Sequence, residues 1–386
     1  MSQSAQQPLS IYLHWPFCGA KCPYCDFNSH VRPQVDETRW VNALLASLDY
    51  WAERTPNTRV ETIFWGGGTP SLMRPGSIET ILNRIALLWP MAEDCEITME
   101  ANPTTHEKER FAGFRAAGVN RLSLGVQSFR QDALNFLGRT YSVADAESAL
   151  THIAATFPRF SFDLIYALPD QTEAEWRRQL DHALGFGSAH ISLYQLTFEP
   201  GTRFYQWMQS GKISPLADEA AADLYDITVG TLEKAGLLRY EVSSFAPPKH
   251  VCRHNLVYWS GGQWIGIGPG AHARLGKQQA RTAICNLRSP EKWLQAIENK
   301  ENGVDTETRP SSEETATEFV LTALRTADGI DMNSFEDVCG QPLTTFVEPD
   351  RLQQLVSNDL AEYSNNRYKL KKNGMNLLDS IVRFLM

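Results

Sequence analysis

Apolar residues in the first two-thirds of the chain alternate between two spacings. Runs rich in β-branched, leucine and aromatic residues read as strands at Leu9–Phe17, Glu61–Trp65, Cys95–Glu100, Arg121–Phe129, Phe160–Leu168 and His190–Phe198. Between them apolar positions recur at helical spacing. Trp40, Val41, Leu44, Leu45 and Leu48 share one face, as do Ile78, Ile81, Leu82, Ile85 and Leu88. Phe111, Phe114 and Ala117 follow, with Gly118 as the stop, then helices over Ala144–Thr156 and Glu173–Leu184. Strands and helices in strict alternation predict parallel strands joined by right-handed crossovers. The closure is either a partial (β/α)6 barrel or a doubly wound sheet.

Where the unusual residues fall decides between them. Cysteines follow the first strand, glycines the second and Glu100 ends the third, while Gln127, Asp163 and Thr197 sit in or late in the next three. Chemistry from almost every strand converging on one rim is barrel behaviour, whereas an open sheet gathers its ligand at one switch point. The fold class expected is therefore α/β, a partial (β/α)6 barrel over residues 1–238. A smaller C-terminal α+β domain spans 239–386. After the Ala220–Leu237 helix it begins with glycine- and aromatic-rich sequence, including His254-Asn255-Leu256-Val257-Tyr258-Trp259. It ends in short helices and a hairpin expected at Tyr368–Leu370 around Lys371–Gly374, which together suggest a winged helix.

An apolar content of 42% over 386 residues supplies a sizeable core. The stretch Met1–Ser10 has neither the basic nor the apolar region of a secretory signal, and no apolar run approaches a membrane span. Seven cysteines without framework spacing fit a reducing compartment, so a cytoplasmic location is expected. A net charge of −9 weighs against a nucleic-acid partner. Only the winged-helix-like tail and its Lys369, Lys371 and Lys372 favour an RNA-modifying enzyme.

The densest chemistry is Cys18-Gly-Ala-Lys-Cys22-Pro-Tyr-Cys25. Three thiolates this close suit a [4Fe–4S] cluster, which takes four ligands, so one iron is left for a small chelating molecule. Zinc is the rival, although structural zinc prefers two separated ligand pairs. Gly66-Gly67-Gly68-Thr69-Pro70 is either a tight turn or open backbone for a ligand. Glu100 either caps the next helix or accepts from ribose hydroxyls. Arg139 and Asp163 are either surface or ion-pair residues or, gathered on one rim, a cation for a carboxylate and a further ribose acceptor. S-adenosylmethionine presents the matching groups, and its amino and carboxylate groups can chelate the open iron.

Together with Glu100-x-Asn-Pro, Ser123-Leu-Gly-Val-Gln-Ser-Phe129 and Asp163-Leu-Ile-Tyr-Ala-Leu-Pro-x-Gln-Thr172, these motifs resemble the radical S-adenosylmethionine enzymes. The resemblance is to the branch containing oxygen-independent coproporphyrinogen III dehydrogenase and its haem-chaperone relatives, and it covers nearly the whole chain. It implies that Cys18, Cys22 and Cys25 bind the cluster and that Tyr12 and Tyr24 flank the methionine part of the cofactor. Gly67, Gly68 and Thr69 would contact its amino group, Glu100 and Asp163 the ribose, and Gln127 and Arg139 the ribose and carboxylate. Thr197 would line the adenine pocket. The dehydrogenase carries a further catalytic cysteine where this chain has Phe27, so the resemblance implies a chaperone rather than that enzyme, with no catalytic residue assigned. His254–Trp259 matches the His-Asn-x-x-Tyr-Trp signature of the chaperones, with His254 as a haem ligand; read by itself, such a histidine is a core residue. The partners implied are haem and apo-haemoproteins such as membrane respiratory enzymes, with a homodimer and transient membrane association also compatible.

Overall fold

The computed structural model describes residues 6–386; Met1–Ala5, part of the polar start read above, lie outside them. Strands β1 (Gln7–Trp15), β2 (Thr58–Gly67), β3 (Met91–Ala101), β4 (Arg121–Gln127), β5 (Arg159–Tyr166) and β6 (Ile191–Gln195) lie side by side in chain order. All are parallel. This sequential order has no reversal, which excludes the doubly wound alternative.

Helices α1 (Glu37–Arg54), α2 (Pro75–Leu88), α3 (Phe111–Ala117), α4 (Val143–Thr156) and α5 (Glu173–Leu184) alternate with the strands, and their apolar stripes join one core with them. Local chemistry sets their ends. Asp36 accepts from the Arg39 N–H at the start of α1, and capping boxes at Ser142 and Thr172 open α4 and α5. Gly118, at φ 115°, closes α3 in the left-handed conformation. Helix α6 (Asp218–Lys234) follows β6.

The sheet does not stop at residue 238. β7 (Ser244–Phe245) pairs antiparallel with β6, and helix α7 (Arg253–Trp259) follows. β8 (Trp264–Ile267) then lies parallel to β1 on its free side. β9 (His272–Leu275), β10 (Thr282–Asn286) and β11 (Val304–Thr308) extend it as an antiparallel meander, giving eleven strands. A separate core gathers residues from Ala316 onward. We therefore propose a domain boundary near residue 310, between β11 and α8 (Ser312–Ala323).

The C-terminal unit packs α8, α9 (Met332–Cys339) and α10 (Pro349–Ser357) against a three-stranded sheet of β12 (Ile330–Asp331), β13 (Ala361–Ser364) and β14 (Arg367–Leu370). The expected winged-helix pattern is present, but the hairpin turn precedes Tyr368–Leu370 instead of lying at Lys371–Gly374. The turn is Asn365-Asn366, both at positive φ, a conformation asparagine tolerates. Lys372–Met375 is helical, and Gly374 serves close packing: a Cβ there would stand 2.0 Å from the Leu360 carbonyl oxygen. Among the described residues no helix is long and apolar enough to cross a membrane.

Candidate functional site

The three cysteines sit half-buried in the loop that leaves β1. Lys21 Nζ closes this loop by donating to the carbonyls of Phe27 and Ser29, both at 3.1 Å, and to Ser29 Oγ at 2.7 Å. Ser29 Oγ in turn lies 3.7 Å from Cys25 Sγ, and Thr69 Oγ1 donates to Cys18 Sγ at 3.4 Å. Burial pushes the Cys18 thiol up, and the neighbouring Cys25 and Cys22 add to the rise. Among the described residues no three His, Cys, Asp or Glu side chains close on a single point. Phe27, at the position of the dehydrogenase's extra cysteine, is 61% exposed.

The glycine run at the end of β2 serves this loop directly. Gly68 N–H donates to the Trp15 carbonyl at 2.7 Å and Thr69 N–H to that of Phe17 at 2.8 Å. A Cβ on Gly67 (φ 106°) would lie 2.5 Å from the His14 ring, and one on Gly68 would lie 2.7 Å from the Phe17 carbonyl oxygen. The missing side chains thus let two backbones touch, which seats the cysteine loop on β2.

A polar chain runs from that loop across the strand ends. Asn102 Nδ2 donates to Thr69 Oγ1 at 3.2 Å, and Arg139 Nη1 donates to Asn102 Oδ1 at 3.0 Å. Arg139 also donates to the Tyr24 hydroxyl and stands 5.6 Å from that ring's centre. Among the described residues its buried Nε has no hydrogen-bond partner. Buried Glu107 accepts from the Asn102 N–H at 2.7 Å, which fixes the turn after β3. Sequence reasoning noted Asn102 but gave it no part; its place between Thr69 and Arg139 depends on tertiary packing.

Glu100 and Asp163 enter the barrel from β3 and β5. Burial pushes the Glu100 carboxyl up to about 8, with Asp163 adding to the rise and the Gly67 N–H opposing it. Burial lifts Asp163 to about 6, offset by the hydroxyls of Ser192 and Ser123 and by Arg121 and Arg139. Tyr12 lines the same interior, and Gln127 ends β4 at φ 68°, buried. Thr197 is exposed in the loop after β6 and makes no side-chain hydrogen bond to this network. Tyr194, 44% exposed, also lines the interior; the sequence reading passed it over because it sits in an ordinary strand pattern.

Helix α7 closes the interior from below and carries the His254–Trp259 stretch. His254 is fully buried and stacks on Phe64 at 5.2 Å. Thr62 Oγ1 spends its proton on Ser10 Oγ, so His254 Nδ1–H donates to Thr62 at 2.7 Å. Nε2 then accepts from the Tyr258 hydroxyl at 2.6 Å. Burial lowers the imidazole to about 3, which keeps it neutral. In this conformation neither nitrogen has a lone pair free for a metal. Glu96 holds the helix start: its Oε1 accepts from the His254 N–H at 3.1 Å and its Oε2 pairs with Arg159 at 2.8 Å. The cavity between α7 and the Glu100–Asp163 layer measures about 220 Å3.

Comparison with known proteins bears on this arrangement. The profile of the radical SAM superfamily matches residues 12–183, and that of the HemN C-terminal domain matches 311–377. A bovine relative, radical S-adenosyl methionine domain-containing protein 1, mitochondrial, is 36% identical over 97% of this chain and 83% of its own. Heme chaperone HemW of Mycobacterium tuberculosis is 35% identical over 98% of this chain and 95% of its own. The chain belongs to the HemW branch of the radical SAM superfamily. HemW of Escherichia coli is 43% identical over 69% of this chain and 70% of its own. The solved structure of coproporphyrinogen III oxidase (HemN) from Escherichia coli shares the fold, with a TM-score of 0.82 at 21% identity over 99% of this chain and 91% of that one. Superfamily membership carries with it a [4Fe–4S] cluster and S-adenosylmethionine.

Proposed function

We propose that this chain is a cytoplasmic haem chaperone, which binds haem and passes it to apo-haemoproteins such as membrane respiratory enzymes. The observation that carries the reading is Phe27, which is 61% exposed and offers no thiol where the dehydrogenase has its further catalytic cysteine.

In this proposal Cys18, Cys22 and Cys25 hold three irons, with Thr69 and Ser29 hydroxyls beside the sulfurs. Arg139 and Gln127 orient the carboxylate of S-adenosylmethionine, Tyr12 and Tyr24 flank its methionine part, and the Gly67–Thr69 backbone meets its amino group. Glu100 and Asp163 take the ribose hydroxyls, and Thr197 borders the adenine. With both cofactors bound, the cluster supplies one-electron chemistry to S-adenosylmethionine. The protein's part is to bind and orient them and to keep Glu100 and Asp163 out of bulk water.

The test is an anaerobic haem titration of cluster-loaded chain, followed by transfer to an apo-cytochrome, beside an assay for protoporphyrinogen formation from coproporphyrinogen III. A Soret band, transfer and no decarboxylation are expected. Absence of a Soret band, or turnover of coproporphyrinogen, sinks the reading. A homodimer and transient membrane contact belong to the same proposal, and sedimentation and vesicle flotation check them.

A further inference from the structure

Helix α7 has a second face. Opposite the barrel interior it looks into a cleft of about 530 Å3 between the barrel and the C-terminal unit. The walls are mainly apolar, with Leu238, Leu256, Trp259, Phe319 and Ala323 among them. Leu238 is 50% exposed, more than a leucine at the edge of a closed seam would be. Trp259 is held upright: the Arg325 guanidinium lies 5.0 Å from its ring centre, and Tyr240 lies 6.3 Å away on the cleft wall. Gly261 lacks the Cβ that would stand 2.7 Å from the Phe319 ring, so Phe319 can close against the end of α7.

The charge on the walls is specific. Arg367 is paired with Asp331 at 3.2 Å. Arg239 donates to the Tyr225 hydroxyl at 2.7 Å, yet among the described residues no carboxylate lies within 4.0 Å of its guanidinium. Asp328 is the one further carboxylate on the lining, and it is exposed. An apolar slot of this volume with one cation lacking an acidic partner suits a large flat apolar body that carries carboxylates. The volume lies inside the ~300–1,000 Å3 range for such ligands. The barrel cavity, on the other side of the same helix, does not.

We propose that this cleft is the porphyrin site, with the macrocycle against Trp259 and Phe319 and a propionate at Arg239. The inference rests on the haem-chaperone reading and adds where the ligand sits and what recognises it. Recognition here is by ring face and carboxylate, with His254 left in its hydrogen bonds on the far side of α7, so the iron is not required.

The test uses cluster-loaded full chain and two probes, ferric haem followed by its Soret band and metal-free protoporphyrin IX followed by fluorescence. Both are expected to bind the unaltered protein, and the dimethyl ester of protoporphyrin at least tenfold more weakly. Ser260→Trp, which fills the exposed lip of the cleft, and Arg239→Glu should each raise the Kd for both probes at least tenfold. Far-UV circular dichroism and the cluster absorbance should be unchanged. If haem binds the unaltered chain and both variants equally, the cleft assignment is overturned while the chaperone reading stands. If haem binds but metal-free porphyrin does not, or if the dimethyl ester binds as tightly as the acid, recognition runs through the iron or lacks the carboxylate contact, and the assignment again fails. If neither probe binds the unaltered chain, both readings fail together.

Discussion

Glu100 carries its carboxyl into a poorly solvated interior beside Asp163, and its folded-state value near 8 is well above that of an unfolded glutamate. A raised carboxyl favours the folded state while protonated, and that contribution is lost as pH rises from the unfolded value through the folded one. In protein without cofactors, Glu100→Gln should therefore change Tm little near pH 4.5 and raise it progressively relative to the unaltered chain towards pH 8. Parallel melts across that window check it. Gly67 makes a different demand. Alanine there must adopt φ 106° with its Cβ 2.5 Å from the His14 ring. Gly67→Ala should cost about 1–3 kcal/mol and reduce the iron retained per chain, read by denaturation midpoint and iron assay.

Helix α7 is short, and its own seven residues cannot hold it in place. Glu96 and Thr62, from β3 and β2, fix it by the His254 N–H and imidazole. Glu96→Ala removes that acceptor and leaves the partly exposed Arg159 without its carboxylate, a change worth about 1–3 kcal/mol. Glu96→Gln keeps an acceptor for the helix and should be milder. Chemical denaturation of both variants orders them, and the reverse order would contradict the role of Glu96 as anchor. These pairings were invisible in the sequence, because Thr62 and Glu96 read as ordinary strand positions far from His254. The long amphipathic helices and apolar strands were legible, since their periodicity records burial on one or both faces. The antiparallel strands β9–β11 were not, being only four or five residues long and set among glycines.

For the whole molecule, ion pairs join the C-terminal unit to the barrel: Lys277 with Asp337, Arg325 with Glu241 at 2.9 Å, and two on Glu318. Glu318 on α8 meets Arg274 at 3.1 Å and Arg281 at 3.5 Å, and the Arg281 side chain is only 3% exposed. Glu318→Gln takes the counter-charge from a buried guanidinium, a loss of about 1–3 kcal/mol. Hydrogen exchange should quicken in residues 312–385 and around Arg274–Arg281, while β1–β6 keep their protection. Uniform quickening would mean that the two units do not open separately. The cysteine motif and the strand-end residues were readable because local spacing places them on one rim. The cleft was not, because its walls come from three distant stretches around residues 238–260, 319–334 and 367.

A helix of about two turns forms a wall of both chambers. His254 and Tyr258 face the one that Glu100 and Asp163 share, and Leu256 and Trp259 face the other. An occupant on one side that displaced α7 would alter the wall met by an occupant on the other, and thermodynamic linkage would make the effect mutual. Whatever factor S-adenosylmethionine imposes on haem affinity, haem must impose on S-adenosylmethionine. Calorimetric titration of each ligand with and without the other measures that factor twice, and the two values have to agree.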